Sequence, residues 1–124
     1  DLCKQVIGPN GVPDLMASLR SDSAPGGAQL VKHILLGNNI AGDGLCDGIA
    51  ELIRSGGSTL TTWYIAGNRL TAEGISTLCE VLMNDDQVLQ LWLKRNPLRP
   101  VAGPILGDLL AANTTLAVLD LVNC

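Results

Sequence analysis

Apolar positions in this chain fall into a frame, and the frame recurs. From Leu60 its slots read Leu60, Trp63, Ile65, Asn68 and Leu70, with polar or small residues between most of them. Downstream the same spacing holds Val88, Leu91, Leu93, Asn96 and Leu98, then Leu116, Leu119, Leu121 and Cys124. Upstream it reads Leu30, His33, Leu35, Asn38 and Ile40, and more faintly Leu2, Gln5, Ile7, Asn10 and Val12. Successive frames start 28, 30, 28 and 28 residues apart. Steps this even define a repeat array, and that sets every later assignment.

Between residues 30 and 40 a second register also fits. Val31, Ile34, Leu36 and Asn39 satisfy the same spacing and keep His33 out of the apolar slots. The His33 register is preferred here because it keeps the Asn-x-Ile pair. It also keeps a glycine six residues after the asparagine, 38 to 44 as 68 to 74.

Alternation from the first slot to the third predicts short strands buried on one face. The asparagine then leaves the strand, where its side chain can satisfy backbone groups that the bend unpairs. Helical spacing follows each strand. Leu45, Ile49, Leu52 and Ile53 predict a helix over 44–53, and Ile75, Leu78, Cys79 and Leu82 predict one over 74–83. Ile105, Leu106, Leu109 and Leu110 mark a third over 102–112, with Pro104 near its start, where proline is tolerated. Residues 14–20 suggest a shorter helix. The loops 54–59, 84–87 and 112–115 close the units.

The frame L-x-x-L-x-L-x-x-N/C-x-L resembles the leucine-rich repeat, and the long period is similar to its ribonuclease-inhibitor-like subtype, as in NOD-like-receptor repeats. The resemblance covers essentially the whole chain and is specific from Leu30 onward. Residues 1–29 match poorly, with Gln5 in an apolar slot, and read as a degenerate first unit. The resemblance implies an α/β solenoid with a curved parallel sheet on its concave side and helices on its convex side. It implies a single array over 1–124, with units starting near 30, 60 and 88 and a partial unit from 116. It also implies a structural ladder made by Asn38, Asn68, Asn96 and Cys124. Because the last frame stops short and carries no polar cap, a longer parent array is expected.

Positions between the apolar slots would line the concave face: Lys32, Ile34 and Leu36; Thr62, Tyr64 and Ala66; Gln90, Trp92 and Lys94; Val118, Asp120 and Val122. Tyr64 and Trp92 share a slot in successive units, which makes them neighbours on parallel strands ~5 Å apart. Tyrosine and tryptophan dominate binding hot spots. They are the candidate partner-binding anchors, with Lys32, Lys94 and Ile34 beside them and Asp120 bounding the far side. The competing reading is that they cover a greasy sheet. Trp63 falls in a core slot. Arg69, Lys94, Arg95 and Arg99 gather at the strand-exit edge, either steering an acidic partner or keeping the edge soluble.

Composition narrows the function classes. Hydrophobic residues make up 47 % of 124, with two Trp, one Tyr and no Phe, so an aliphatic core is expected. Net charge is −4, which argues against nucleic acid or anionic membrane as the partner. No apolar run approaches a spanning length, and no signal-peptide pattern opens the chain. Cys3, Cys46, Cys79 and Cys124 are widely spaced, without a C-x-x-C pair, which suggests buried thiols in a reducing, cytoplasmic setting and no metal site. His33 is the single histidine, and no nucleophile–base–acid arrangement or phosphate-cradling loop surrounds it; Gly26-Gly27-Ala28-Gln29 lacks a following lysine. The expectation is a protein-binding module with neither catalysis nor cofactor. Alternatives are a regulator of a small GTPase, since Ran GTPase-activating proteins are similar repeats, or a structural spacer.

Overall fold

The computed structural model describes residues 1–20 and 31–124. Strand and helix alternate: α1 (Gly8–Leu19), β1 (His33–Leu35), α2 (Gly44–Arg54), β2 (Thr62–Tyr64), α3 (Ala72–Leu82), β3 (Gln90–Trp92), a 3-10 turn (Pro100–Ala102), α4 (Gly103–Ala112) and β4 (Val118–Asp120). The four strands form one parallel sheet in the order β1-β2-β3-β4. The protein is therefore α/β, with α2, α3 and α4 the crossovers that its three parallel strand pairs require. Consecutive helices pack against one another, α1 on α2, α2 on α3 and α3 on α4.

Strand register resolves the ambiguity at 30–40 against the preferred reading. Ile34 pairs with Trp63, as Trp63 pairs with Leu91 and Leu91 with Leu119. Ile34 and Leu36 are buried at 6 % and 1 % exposure, while His33 is exposed. The frame is thus Val31, Ile34, Leu36, Asn39, offset by 29 residues from Leu60, Trp63, Ile65, Asn68. Leu30, the expected first slot, lies outside the described residues, as does the loop 26–29. An imidazole in an apolar slot would need buried partners. Outward, His33 Nδ1 instead meets Thr62 Oγ1 at 2.8 Å.

The N-terminal frame also shifts. Leu2 N–H donates to Leu35 O (2.8 Å) as Leu36 N–H donates to Tyr64 O (2.8 Å), so Leu2 occupies the third slot and Gln5 the asparagine slot. Residues 1–20 supply the turn and helix of a unit, and α1 begins at Gly8 rather than Asp14. Pro9 is tolerated in its first turn; Pro13 removes one helical bond, and burial of Val12 and Met16 on neighbouring turns holds the helix.

Inward strand positions and the apolar helix stripes fill one continuous core. Trp63 is its largest side chain, 1 % exposed, so the expected packing role stands; its indole N–H has no hydrogen-bond partner among the described residues. Cys46 and Cys79 are buried in the same core.

Candidate functional site

A ladder of side-chain amides fixes where each strand ends. Asn68 Oδ1 accepts from the N–H of Asn39 (3.0 Å) and Ala41 (3.4 Å), while Asn68 Nδ2 donates to Leu36 O (2.9 Å) and Ile65 O (3.1 Å). Asn96 repeats this one unit on, accepting from Asn68 (2.8 Å) and Leu70 (3.1 Å) and donating to Ile65 O (3.1 Å) and Leu93 O (2.7 Å). Asn39 repeats it one unit back, accepting from Gln5 (3.0 Å) and Ile7 (3.3 Å). Cys124 Sγ reaches Leu93 O at 3.2 Å, the contact the asparagines make. Of the expected ladder, Asn68, Asn96 and Cys124 are in place; Asn39, not Asn38, is the fourth.

Asn38 has a different task. The residue before each ladder position adopts a left-handed backbone: Lys4 (φ 61°), Asn38 (58°), Gly67 (62°), Arg95 (60°) and Asn123 (59°). That conformation turns the chain out of the strand, and glycine and asparagine adopt it at least cost. Gly67 is needed twice over, since a Cβ there would collide with the Asn38 side chain.

With register and turn fixed, the outward rows of the sheet follow. Leu35, Tyr64, Trp92 and Asp120 are consecutive register partners across all four strands. The Tyr64 and Trp92 rings lie 6.2 Å apart, tilted by 39°. Lys94 Nζ sits 5.4 Å from the tyrosine ring centre and 5.9 Å from that of the tryptophan, a cation held over two aromatic faces. Trp92 Nε1–H donates to Gln90 Oε1 (3.3 Å), which orients the indole. Tyr64 Cε1 is 2.7 Å from where a Gly37 Cβ would sit, and Cys3 Sγ is 3.2 Å from that point. The tyrosine thus rests on the neighbouring unit because that unit has no side chain there.

The expected site therefore divides. Tyr64, Trp92 and Lys94 come together, and Asp120 bounds them one strand on, its Oδ1 accepting from Val122 N–H (2.9 Å). Ile34 does not belong: it and Leu36 point into the core, and Leu35 stands on the open face instead. Lys32 is exposed at the strand entry, where its carbonyl accepts from Thr61 and Thr62, and it shares no row with Lys94. Leu35 and His33 were missed because the wrong register hid them. The signal was in the sequence: Val31, Ile34, Leu36, Asn39 and Ala41 fill every slot with residues suited to burial.

Burial raises the thiol pKa values of both core cysteines. Desolvation pushes Cys79 up to about 11; it also raises Cys46, where Asp43 and Asp47 add to the effect. Among the described residues no group of three or more His, Cys, Asp or Glu is placed to hold a metal ion. No described helix is long and apolar enough to cross a membrane. The chain matches no family model and no curated protein sequence.

Proposed function

We propose that the chain is a leucine-rich-repeat solenoid of the ribonuclease-inhibitor-like subtype that binds a protein partner on its open, concave sheet face and performs no chemistry of its own. The carrying observation is the assembled Tyr64–Trp92–Lys94 cluster. Its rings and cation are positioned by each other, by Gln90 and by Gly37, so little ordering entropy remains to be lost on binding. The repeat frame, the parallel strand order and the amide ladder support the architecture. Four free cysteines, two of them buried, suit the reducing conditions of the cytoplasm.

The test is selection of binders from a displayed library of random peptides on the immobilised chain, followed by titration of Trp92→Ala. Removing a central aromatic anchor commonly costs ~2 kcal/mol, so affinity should fall at least ~30-fold. Folding stability should change by no more than about 1 kcal/mol, the scale of one aromatic pair. Binders indifferent to Trp92→Ala would place the working surface elsewhere.

A further inference from the structure

We infer that the partner segment is acidic: an extended peptide in which aspartates or glutamates flank an apolar side chain, the carboxylates meeting Lys94 and the strand-exit arginines while the apolar group covers Leu35, Tyr64 and Trp92. This rests on the open-face reading above and adds the sign and spacing of what binds there.

The chain carries −4 overall, yet its charge is divided by face. Asp47, Glu51, Glu73, Glu80 and Asp108 lie exposed on α2, α3 and α4. Past β2 and β3 stand Arg69, Arg95 and Arg99, all exposed and all held in the left-handed backbone region at φ 63°, 60° and 61°. Lys94 is half-buried against the two rings, and among the described residues its ammonium group makes no ion pair or hydrogen bond. A cation fixed by ring faces keeps its N–H donors for an incoming acceptor. Asp120 is the one carboxylate on the outward rows of β1 to β4, and one of its oxygens already takes the Val122 N–H. On the outward rows an acidic segment would find Lys94 and one opposing carboxylate, next to an apolar row. Beyond the strand ends it would find Arg69, Arg95 and Arg99, where the Asp43 carboxylate is engaged by the Thr71 N–H and hydroxyl and that of Asp1 by the Cys3 N–H. A basic segment would find the reverse.

Single-stranded RNA also seeks cations beside aromatics, by stacking its bases on flat ring faces. Here Tyr64 rests on Gly37 at one end and meets Trp92 and Lys94 at the other, so the cluster offers no free slot between its rings. The observations favour the peptide.

Two measurements decide it. Random 12-residue peptides without charge bias are selected on the chain, and the winners are titrated against wild type, Lys94→Gln, Trp92→Ala and Arg54→Gln, the last a cation at the far end of α2. The inference expects enrichment of Asp or Glu next to an apolar residue. It also expects at least ~10-fold weaker binding to Lys94→Gln, affinity that falls with added salt, and no change with Arg54→Gln. Winners that need Trp92 but show no acidic bias, or that ignore Lys94→Gln, overturn the acidic assignment and leave the open-face reading standing. Winners that ignore Trp92→Ala remove both. Failure to enrich any peptide, or tighter binding of a 12-nucleotide oligouridylate than of the best peptide, also overturns it.

Discussion

Replacing Asn39 by alanine should cost far more stability than replacing its neighbour Asn38 by glycine, although the two are adjacent and chemically identical. Asn39 is 1 % exposed. Its Oδ1 is the acceptor for the Gln5 and Ile7 N–H groups, and its Nδ2 donates to Leu2 O (2.9 Å) and Leu36 O (2.8 Å). The carbonyl losses are partly covered, because Leu36 O also accepts from Asn68 Nδ2. The two N–H groups have no other acceptor within the ladder. Both donors are part-buried, so the net worth of each bond applies: about 0.5–1.5 kcal/mol for each of the four lost, with the 3.3 Å bond to Ile7 the weaker, sums to ~2–4 kcal/mol.

Asn38 makes none of these bonds and sits at φ 58°, a value glycine adopts freely. Asn38→Gly should therefore stay within about 1 kcal/mol of wild type. Thermal melts followed by circular dichroism separate the two, since ~2–4 kcal/mol corresponds to a drop of at least ~8 °C in a domain of this size. Equal melting temperatures for the two variants, or a larger loss for Asn38→Gly, would refute both the ladder register and the reasoning that assigns the buried amide its role.

Three further outcomes test other parts of the structure. Cys46 and Cys79 should resist alkylation at pH 8 in the native state, while Cys3 and Cys124 react; mass spectrometry after timed labelling reads this directly. Because burial raises the folded Cys79 thiol from 9.0 to about 11, the unfolded chain loses its proton first as pH rises, so stability should fall between about pH 9 and pH 11. Urea titrations across that window that show a rise would contradict the burial. Ile40, a β-branched residue at φ 57° and 41 % exposed, holds a left-handed conformation that costs L-residues about 1–2 kcal/mol; Ile40→Asn should raise stability by ~1 kcal/mol, and a melting temperature lowered by the change would remove the strain argument.

How far the fold could be read beforehand depended on how redundant each signal was. The strands at Thr62–Tyr64, Gln90–Trp92 and Val118–Asp120 lie where the frame places them, because three aligned copies specify the same slots. The helix over 44–53 ends within one residue of its expected limit. Failure came where two signals conflicted. At 30–40 a run of apolar residues let both registers satisfy the spacing, and a glycine coincidence outweighed an imidazole in an apolar slot. Desolvation of that ring should have decided the matter, since it is a free-energy term while glycine spacing is only a correlation. A one-residue slip exchanges the two faces of a strand, which is why one misjudgement misplaced Ile34, Leu36, His33, Leu35 and Asn38 together. The Tyr64–Trp92 pairing survived because it depends on β2 and β3 alone. The lysine over both rings was not legible, because a side chain two residues along a strand can lean toward or away from its neighbour, and the packing on Gly37 comes from an adjacent unit.

The amide ladder and the aromatic cluster also divide the work of each unit in a way that bears on how such a face can change. Register is held from inside, by Asn39, Asn68 and Asn96 bonding the backbone of the units beside them, and by Ile34, Trp63, Leu91 and Leu119 meeting across the sheet. None of these side chains reaches the open face. The residues that do, Leu35, Tyr64, Trp92 and Asp120, sit in one row yet run from aliphatic through aromatic to acidic, while the same strands keep identical pairing. A scaffold that satisfies its own backbone polar groups does not need the outward row for stability. That row is therefore the part of the sheet whose composition is freest to vary, and its lysine-capped aromatic pair is the patch that the proposed binding would use.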